Sequence, residues 1–311
     1  MKGLKIMQAA NFNCVFGEEK NVPMLKEFKR IIFPAFKTGK KEYSKSIIKK
    51  FFFNDIKIFD TNLGYCLYGK IIKDIDLLIK SKLDKDGNLI EADDKVPSAP
   101  YSEFILILKN HRMLFTPSQQ GSPTLRDFKN LISHSIKNTI RMNDIRENKR
   151  ILKFKLNIFV IPEEITLKNK LDKFEKIEFF KFEIQPQNSR LFDNEYIRKL
   201  EVERKGLGAD KIEQKIVKPS HLNRIKEIVL KFKDMAYYTL KGKEKDKDWE
   251  VIENSTYKKE IEYFFHEGNS NDENIKIAVN AAASQDKRIV EVDNHNTLVY
   301  NEVLNDIESL K

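Results

Sequence analysis

The chain has only two cysteines in 311 residues, Cys14 and Cys66, and they form no C-x-x-C pair. That excludes a disulfide-stapled scaffold and a zinc ribbon as the basis of the fold. Long apolar runs are also missing. None approaches the roughly 18–20 residues that cross a bilayer, and the first residues lack the apolar core of a signal peptide, so a cytoplasmic protein is expected. His111, His134, His221, His266 and His295 show neither H-x-x-x-H nor H-E-x-x-H spacing, and no metal site can be read from them. No Ser or Cys is accompanied by a recognisable base. Gly206-Leu207-Gly208 lacks the third glycine and the Lys-Ser/Thr pair of a phosphate loop and reads as a helix end with a linker. Asp84-Lys85-Asp86-Gly87-Asn88 has its glycine at position 4, where a calcium loop needs it at position 6. It reads as a hairpin turn. No catalytic set, metal or cofactor is indicated.

What is present is charge, unevenly placed. The formal net charge is +10. Residues 1–50 hold 12 Lys/Arg against 4 Asp/Glu, a net of +8, whereas residues 251–311 hold 6 against 12, a net of −6. The asymmetry suggests an anionic partner at the front and an acidic tail behind. Lys outnumbers Arg 46 to 11, and solvated lysine faces from a biased genome would give the same composition.

The clearest packing unit is Tyr101 to Asn138. Phe104 to Leu108 is a continuous apolar run, as in a strand buried on both faces. Lys109-Asn110-His111-Arg112 turns the chain back through Met113 to Thr116. Ser122 as N-cap and Pro123 at N1 then start a helix whose Leu125, Phe128, Leu131, Ile132 and Ile136 share one face. Before this unit come a strand from Lys2 to Gln8 and a helix from Val22 to Phe33, ended by Pro34. Phe51 to Phe59 and Tyr65 to Ile72 form an antiparallel pair, Ile75 to Leu83 is a further strand, and Ala92 to Pro100 reads as a loop. After it, Arg141 to Arg150 reads as a polar connector. Residues 151–185 read as strand, helix, strand, with the two strands parallel neighbours. Leu191 to Lys205 is a helix, and so is the segment after Ser220. Ala236 to Leu240 pairs with Val251 to Asn254, Ile261 to Phe265 is a last strand, and Ile275 to Ala283 is helical before a frayed acidic end. The expected fold is α+β, with antiparallel or mixed sheets and packed helices. It divides into an N-terminal subdomain over residues 1–140, a connector at 141–150 and a C-terminal subdomain over 151–311.

Phosphate neutralisation needs several cations on one face. Lys37, Lys40, Lys41, Lys45, Lys49 and Lys50 form one candidate cluster, with Phe51, Phe52 and Phe53 beside it. Arg141, Arg146, Lys149 and Arg150 form a second. His111 and Arg112, at the hairpin turn, are candidate phosphate contacts, although an ordinary polar turn has the same composition. Glu175, Glu178, Lys181 and Glu183 are the residues to check for a metal-dependent nuclease, but their spacing alternates faces without a clean acid-x-Lys pair.

Leu67-Tyr68-Gly69-Lys70-Ile71-Ile72, then Phe104 to Leu108, then Asn110-His111-Arg112-Met113-Leu114-Phe115 with the Ser122-Pro123 helix, resemble an uncharacterised bacterial family associated with phage-defence and mobile-element genes. The Ile177 to Pro186 strand and the Pro219 to Tyr238 unit are similar too, so the likeness spans most of residues 60–265. The order of elements also resembles RexA, the phage-exclusion protein. The likeness implies a dimeric, DNA-binding protein of antiviral defence that works with a separate membrane partner. It carries over no active-site residue. Three functions stay open: nucleic-acid binding without catalysis, with DNA ahead of RNA; a metal-dependent nuclease; and a protein–protein adaptor within a defence complex.

Overall fold

The computed structural model describes residues 2–19, 21–44, 48–146, 152–186, 195–233 and 236–311. The fold is α+β, as the sequence patterns lead one to expect. Strand β1 (Lys2–Phe16) runs well past the expected end at Gln8. Met7, Ala9, Ala10, Phe12, Asn13, Cys14, Val15 and Phe16 are all buried, so from Ala9 onward both faces of the strand are covered, whereas Leu4 and Ile6 leave one face of its start exposed. A two-residue strand, β2 (Val22–Pro23), folds back onto its end.

No single regular helix follows. Residues 24–38 form a continuous helical run that changes pitch, with a 3₁₀ turn (Met24–Glu27), a π turn (Phe28–Ile32) and α1 (Phe33–Thr38). Pro34 therefore does not end the helix; it sits in the first turn of α1. A proline has no N–H for the carbonyl four residues back, and here Asn143 Nδ2 donates to that carbonyl, Arg30 O, at 3.0 Å.

Strands β3 (Lys40–Ser44), β4 (Ile48–Thr61), β5 (Gly64–Leu83) and β6 (Leu89–Ser98) follow as an antiparallel meander. Ile75 to Leu83 is the second half of the long β5, and most of Ala92 to Pro100 is strand β6 rather than loop. Pro97 is tolerated there because β6 pairs only with β5 and exposes its other edge. The turn at Asp84 to Asn88 is as expected, with Asp84 Oδ1 accepting from the Asp86 and Asn88 amides.

The unit expected at Tyr101 to Asn138 is present as β7 (Tyr101–Ile107), β8 (Arg112–Pro117) and α2 (Leu125–Arg146). Phe104 and Leu106 face α2, while Ile105 and Ile107 face the opposite side of the sheet. The apolar run is thus buried on both faces. The helix starts two residues later than expected. Thr124 and Asp127 form a reciprocal cap, with Thr124 N donating to Asp127 Oδ2 at 2.9 Å and Asp127 N to Thr124 Oγ1 at 3.2 Å.

Strand β9 (Phe154–Val160) pairs antiparallel with β1. It is followed by α3 (Glu164–Asp172), β10 (Phe174–Ile184), α4 (Glu195–Gly206), β11 (Ile212–Val217), α5 (Leu222–Phe232), β12 (Tyr237–Glu244) and β13 (Trp249–Glu253). The expected parallel pairing of β9 with β10 does not form, because the two strands belong to different sheets. Nor is β9 half-exposed: Leu156 and Ile158 enter the main core, and Phe159 packs 4.5 Å from the Tyr237 ring. Ser220 does not cap α5; His221 holds the cap position without a side-chain bond. The second sheet has the order β11-β10-β12-β13, and α3, α4 and α5 contribute with it to one apolar cluster.

Strand β14 (Glu260–His266) returns to β1. The first sheet is then β14-β1-β8-β7-β5-β4-β3, with β9 also on β1. Helix α6 (Asn271–Gln285) covers the face opposite α2. The end of the chain, α7 (Asn294–Glu302) and α8 (Leu304–Glu308), places Val299, Tyr300, Val303 and Ile307 in the α2-side core. Sheet membership therefore does not follow a division at 141–150. Residues 164–257 form an insertion between β9 and β14, and the C-terminal segment belongs with the first sheet.

Phe128 is the centre of the main core. Its ring lies 4.9 Å from Phe104, 5.5 Å from Phe53, 5.9 Å from Phe115, 6.0 Å from Phe36 and 6.4 Å from Phe12. Phe128→Ala leaves a cavity among five rings and is expected to lower unfolding free energy by about 3–5 kcal/mol in urea titration, with Phe128→Leu costing clearly less.

Candidate nucleic-acid interface

Four lysines of the first cluster, Lys40, Lys41, Lys49 and Lys50, lie on the paired strands β3 and β4 at the free edge of the first sheet. Helix α1 ends at Thr38, and Gly39 lets the chain pass closely between α2 and β4. A Cβ at Gly39 would stand 2.6 Å from Ala35 O, 2.6 Å from Phe53 Cδ2 and 2.7 Å from Ser135 Oγ. Lys40 and Lys41 then lie on β3 opposite Phe52 and Phe51 of β4. Between this edge and α2 runs a groove of about 780 Å³ whose lining includes Lys40, Lys41, Lys50, Phe52, His134 and Asn138. Lys41 Nζ is 4.7 Å from the centre of the Tyr43 ring, which stands edge-on to Phe51.

Helix α2 supplies the other wall. His134, Lys137, Asn138 and Arg141 recur at helical spacing on its outward side, and Asn138 Nδ2 is 3.0 Å from His134 Nε2. The His134 ring is held below its usual pKa by burial first, then by Lys41 and Lys137. Lys41 and Lys137 add to the effect of burial because a nearby positive charge disfavours the protonated ring. Arg141 joins this stripe instead of forming a separate site. Arg146 is exposed at the end of α2 and does not line the groove. Lys37 is held away from it, donating to Ile56 O at 2.8 Å with its ammonium 5.4 Å from the Phe33 ring. Lys45, Lys149 and Arg150 lie outside the described residues. His134, Lys137 and Asn138 were not among the expected site residues, although their i, i+3, i+4 spacing with Arg141 at i+7 was there to be read.

The front-half charge is partly neutralised within the molecule. Lys29 pairs with Asp306 at 2.9 Å, and Lys26 pairs with Glu302, so the acidic C-terminal segment lies on the basic helical run. Among the described residues no ion pair ties up Lys40, Lys41, Lys49 or Lys50. The groove keeps its positive charge.

His111 and Arg112 are not phosphate contacts. Both are buried, at 2% and 7% exposure. Residues 286–296 cover the turn: Asn110 Nδ2 donates to Ile289 O at 2.6 Å, and Arg112 Nε donates to Arg288 O at 3.1 Å. His111 sits at φ 59°, a left-handed conformation that a β-hairpin turn can require of a non-glycine residue. Burial, reinforced by Arg112 and His295, pushes its imidazole down to about 3. Two of the three acids of the nuclease check, Glu178 and Glu183, are engaged in ion pairs, and so is Lys181. Glu178 pairs with Lys241 at 2.6 Å and Glu183 with Lys211 at 2.5 Å, while Lys181 pairs with Glu213 at 3.0 Å. Among the described residues no three His, Cys, Asp or Glu side chains converge to hold a metal ion, and no helix is long and apolar enough to cross a membrane.

Neither a model of a known protein family nor a curated protein matches the chain. The chemistry of the groove therefore stands on its own geometry.

The buried His111 predicts a pH dependence of stability. Its folded pKa of about 3 lies below the ordinary 6.5, so the unfolded chain binds the extra proton. The contribution is complete above pH 6.5 and is lost as pH falls toward the folded value. His111→Asn, which tolerates the left-handed conformation, is expected to remove about 2 kcal/mol of the stability difference between pH 7 and pH 5 in urea titrations at the two values.

Proposed function

We propose that the protein is a nucleic-acid-binding component of bacterial antiviral defence, acting on DNA in preference to RNA and without catalysis of its own. The observation that carries this reading is the groove between β3–β4 and α2. Its lining combines Lys40, Lys41 and Lys50, none of them in an ion pair among the described residues and outnumbering the one lining acid, Glu42, with a partly exposed Phe52 and the polar tips of His134 and Asn138. Several cations tracking one channel are what phosphate recognition needs, and aromatic and amide groups beside them suit contacts to sugar and base. The antiviral role and the preference for DNA rest on the resemblance to the phage-defence-associated family and to RexA.

The test is fluorescence anisotropy with labelled duplex DNA, single-stranded DNA and RNA over a series of salt concentrations. Duplex DNA is expected to bind with log affinity falling linearly with log salt. Combined Lys40→Glu, Lys41→Glu and Lys50→Glu should weaken binding at least tenfold and flatten the slope by about 0.9 for each phosphate no longer neutralised. Lys231→Glu, at an exposed position of α5, should leave both unchanged. No binding at low salt, or a slope indifferent to the groove substitutions, would overturn the reading.

An adaptor or dimer role is favoured by one observation. Beyond the first sheet, β5 and β6 continue as a two-stranded arm, and Leu77, Leu83, Leu89 and Val96 stand exposed on one face of it, Leu83 at 67% and Leu89 at 73%. Two strands alone are marginal in water, so an apolar face on such an arm suits pairing with a second copy of the chain. If so, wild-type protein sediments as a dimer and the combined Leu83→Asp and Leu89→Asp variant as a monomer.

A further inference from the structure

A second pocket lies on the opposite face of the first sheet, at the N-terminal end of α6, and the nucleic-acid reading does not use it. Over most of this face the strands present apolar residues to α6, among them Met7, Ile105, Leu114 and Ile261. One row further along, the pattern changes. Thr116, Glu103 and Lys70 stand directly opposite one another on β8, β7 and β5, so their side chains share the face. Lys5 of β1 reaches into the same row and donates to Glu103 Oε2 at 2.8 Å, while the Tyr68 hydroxyl donates to Glu103 Oε1 at 3.2 Å. Lys70 closes the row on Asp55 at 3.4 Å. The result is an alternation of cation, acid, cation and acid across the sheet, with Glu103 and Lys5 only 19% and 28% exposed.

The pocket above this row has a volume of about 250 Å³. Phe265, 4.8 Å from Lys5 Nζ, bounds one end, and Tyr101, 5.7 Å from Lys70 Nζ, bounds the other. A partly buried ion pair is weak as a source of stability. Here it offers a fixed donor beside a fixed acceptor at the floor of a recess with aromatic ends. That is the complement of a heterocycle edge carrying an acceptor next to an N–H, with ring faces for the aromatic residues. Glu267 also lines the pocket, and with Glu103 its carboxylate disfavours an anionic substituent.

We propose that this pocket binds an uncharged nucleoside, its base edge on Lys5 and Glu103 against Phe265 and its ribose toward Lys70 and Tyr101. The site is independent of the groove, and its success or failure leaves the nucleic-acid reading untouched.

The experiment is isothermal titration of the full chain with guanosine, adenosine, cytidine, uridine, guanosine monophosphate and glucose. It is paired with amide chemical-shift mapping on the wild-type protein. At least one nucleoside is expected to bind with a submillimolar Kd and to shift the amides of Glu103, Thr116 and Asn269. The monophosphate should bind at least tenfold more weakly than guanosine. Glu103→Gln keeps the size of the side chain but removes its charge, and should weaken nucleoside binding at least tenfold. Tyr101→Leu, at a partly exposed position, supplies a second variant should the first fail to fold, and should weaken binding several-fold. Absence of heat and shifts for every nucleoside at millimolar concentration would overturn the proposal. So would shifts confined to other surfaces, tighter binding of glucose, or undiminished binding by the folded variants.

Discussion

The structure depends on the ladder around β1. One edge of this strand carries β8, through Gln8 to Asn11. The other carries two strands end to end, β14 along residues 2–8 and β9 along residues 10–16. Ala9 is the hinge of the arrangement: its amide donates to Lys259 O at 3.2 Å and its carbonyl accepts from Ile161 N at 3.0 Å. Two strands separated by about a hundred residues of sequence thus meet on one residue, and Lys259 N closes the junction on Ile161 O at 2.8 Å. A backbone left unpaired at this depth would be costly, so the junction fixes where the inserted unit leaves and re-enters the first sheet. Glu163 and Lys259 add an ion pair of 2.6 Å across the same point. The second sheet can then fold on its own cluster around Phe180, Phe182 and Phe232 without disturbing the first.

That constraint also explains the charge distribution. Because β14 returns to β1, the acidic C-terminal segment is brought back over the front of the molecule. There Val299, Val303 and Ile307 anchor it in the core, while Glu302 and Asp306 meet Lys26 and Lys29. The tail is neither frayed nor available to recruit a partner through all its acids. What survives of the front-half excess is concentrated on β3, an edge strand, and on the paired start of β4. Lysine on an edge strand discourages pairing with a second sheet, so part of this cluster has a structural purpose as well. A groove wall contributed by α2 is not needed for that purpose, and it is the placement of His134 and Asn138 across from Lys40, Lys41 and Lys50 that adds a polar wall to a protected edge.

Local patterns in the sequence carried most of the elements. Continuous apolar runs and turn residues identified β7, β8 and α2, the β4–β5 hairpin and the β12–β13 pair, because in each the signal lies within a few residues of the element. Errors arose where distant segments decide the outcome. The alternating Lys and apolar residues at the start of β9 read as half-exposed, since nothing local announces Tyr237 packing on Phe159. The helical run at 24–38 read as a helix stopped by Pro34, since the donor that rescues Arg30 O comes from Asn143. His111 read as a polar turn tip, since the segment that buries it lies more than 170 residues further on. Of the candidate site, the lysines on β3 and β4 were legible as a run of charge. Their partners on α2 were not singled out, because polar spacing on an exposed helical face looks the same whether or not it meets another cluster.

Alternation along β7 joins the two functional faces of the first sheet. Phe104 and Leu106 point to the α2 side, where they support the Phe128 cluster beneath the basic groove; Glu103 and Ile105 point to the α6 side. On a sheet covered on both faces every position is expected to be apolar. Ile105 satisfies that rule, and Glu103, two residues earlier on the same face, breaks it. A slip of one residue would exchange the faces and drive the carboxylate among the rings of Phe36 and Phe128. In the present register Glu103 lies between Thr116 and Lys70 on the α6 side, where Lys5 and the Tyr68 hydroxyl satisfy its carboxylate, and only this alignment keeps acid and partners on one face. The polar row therefore specifies strand pairing in a sheet whose remaining residues are nearly interchangeable hydrophobes, and the same fixed alignment gives the pocket above it a rigid floor.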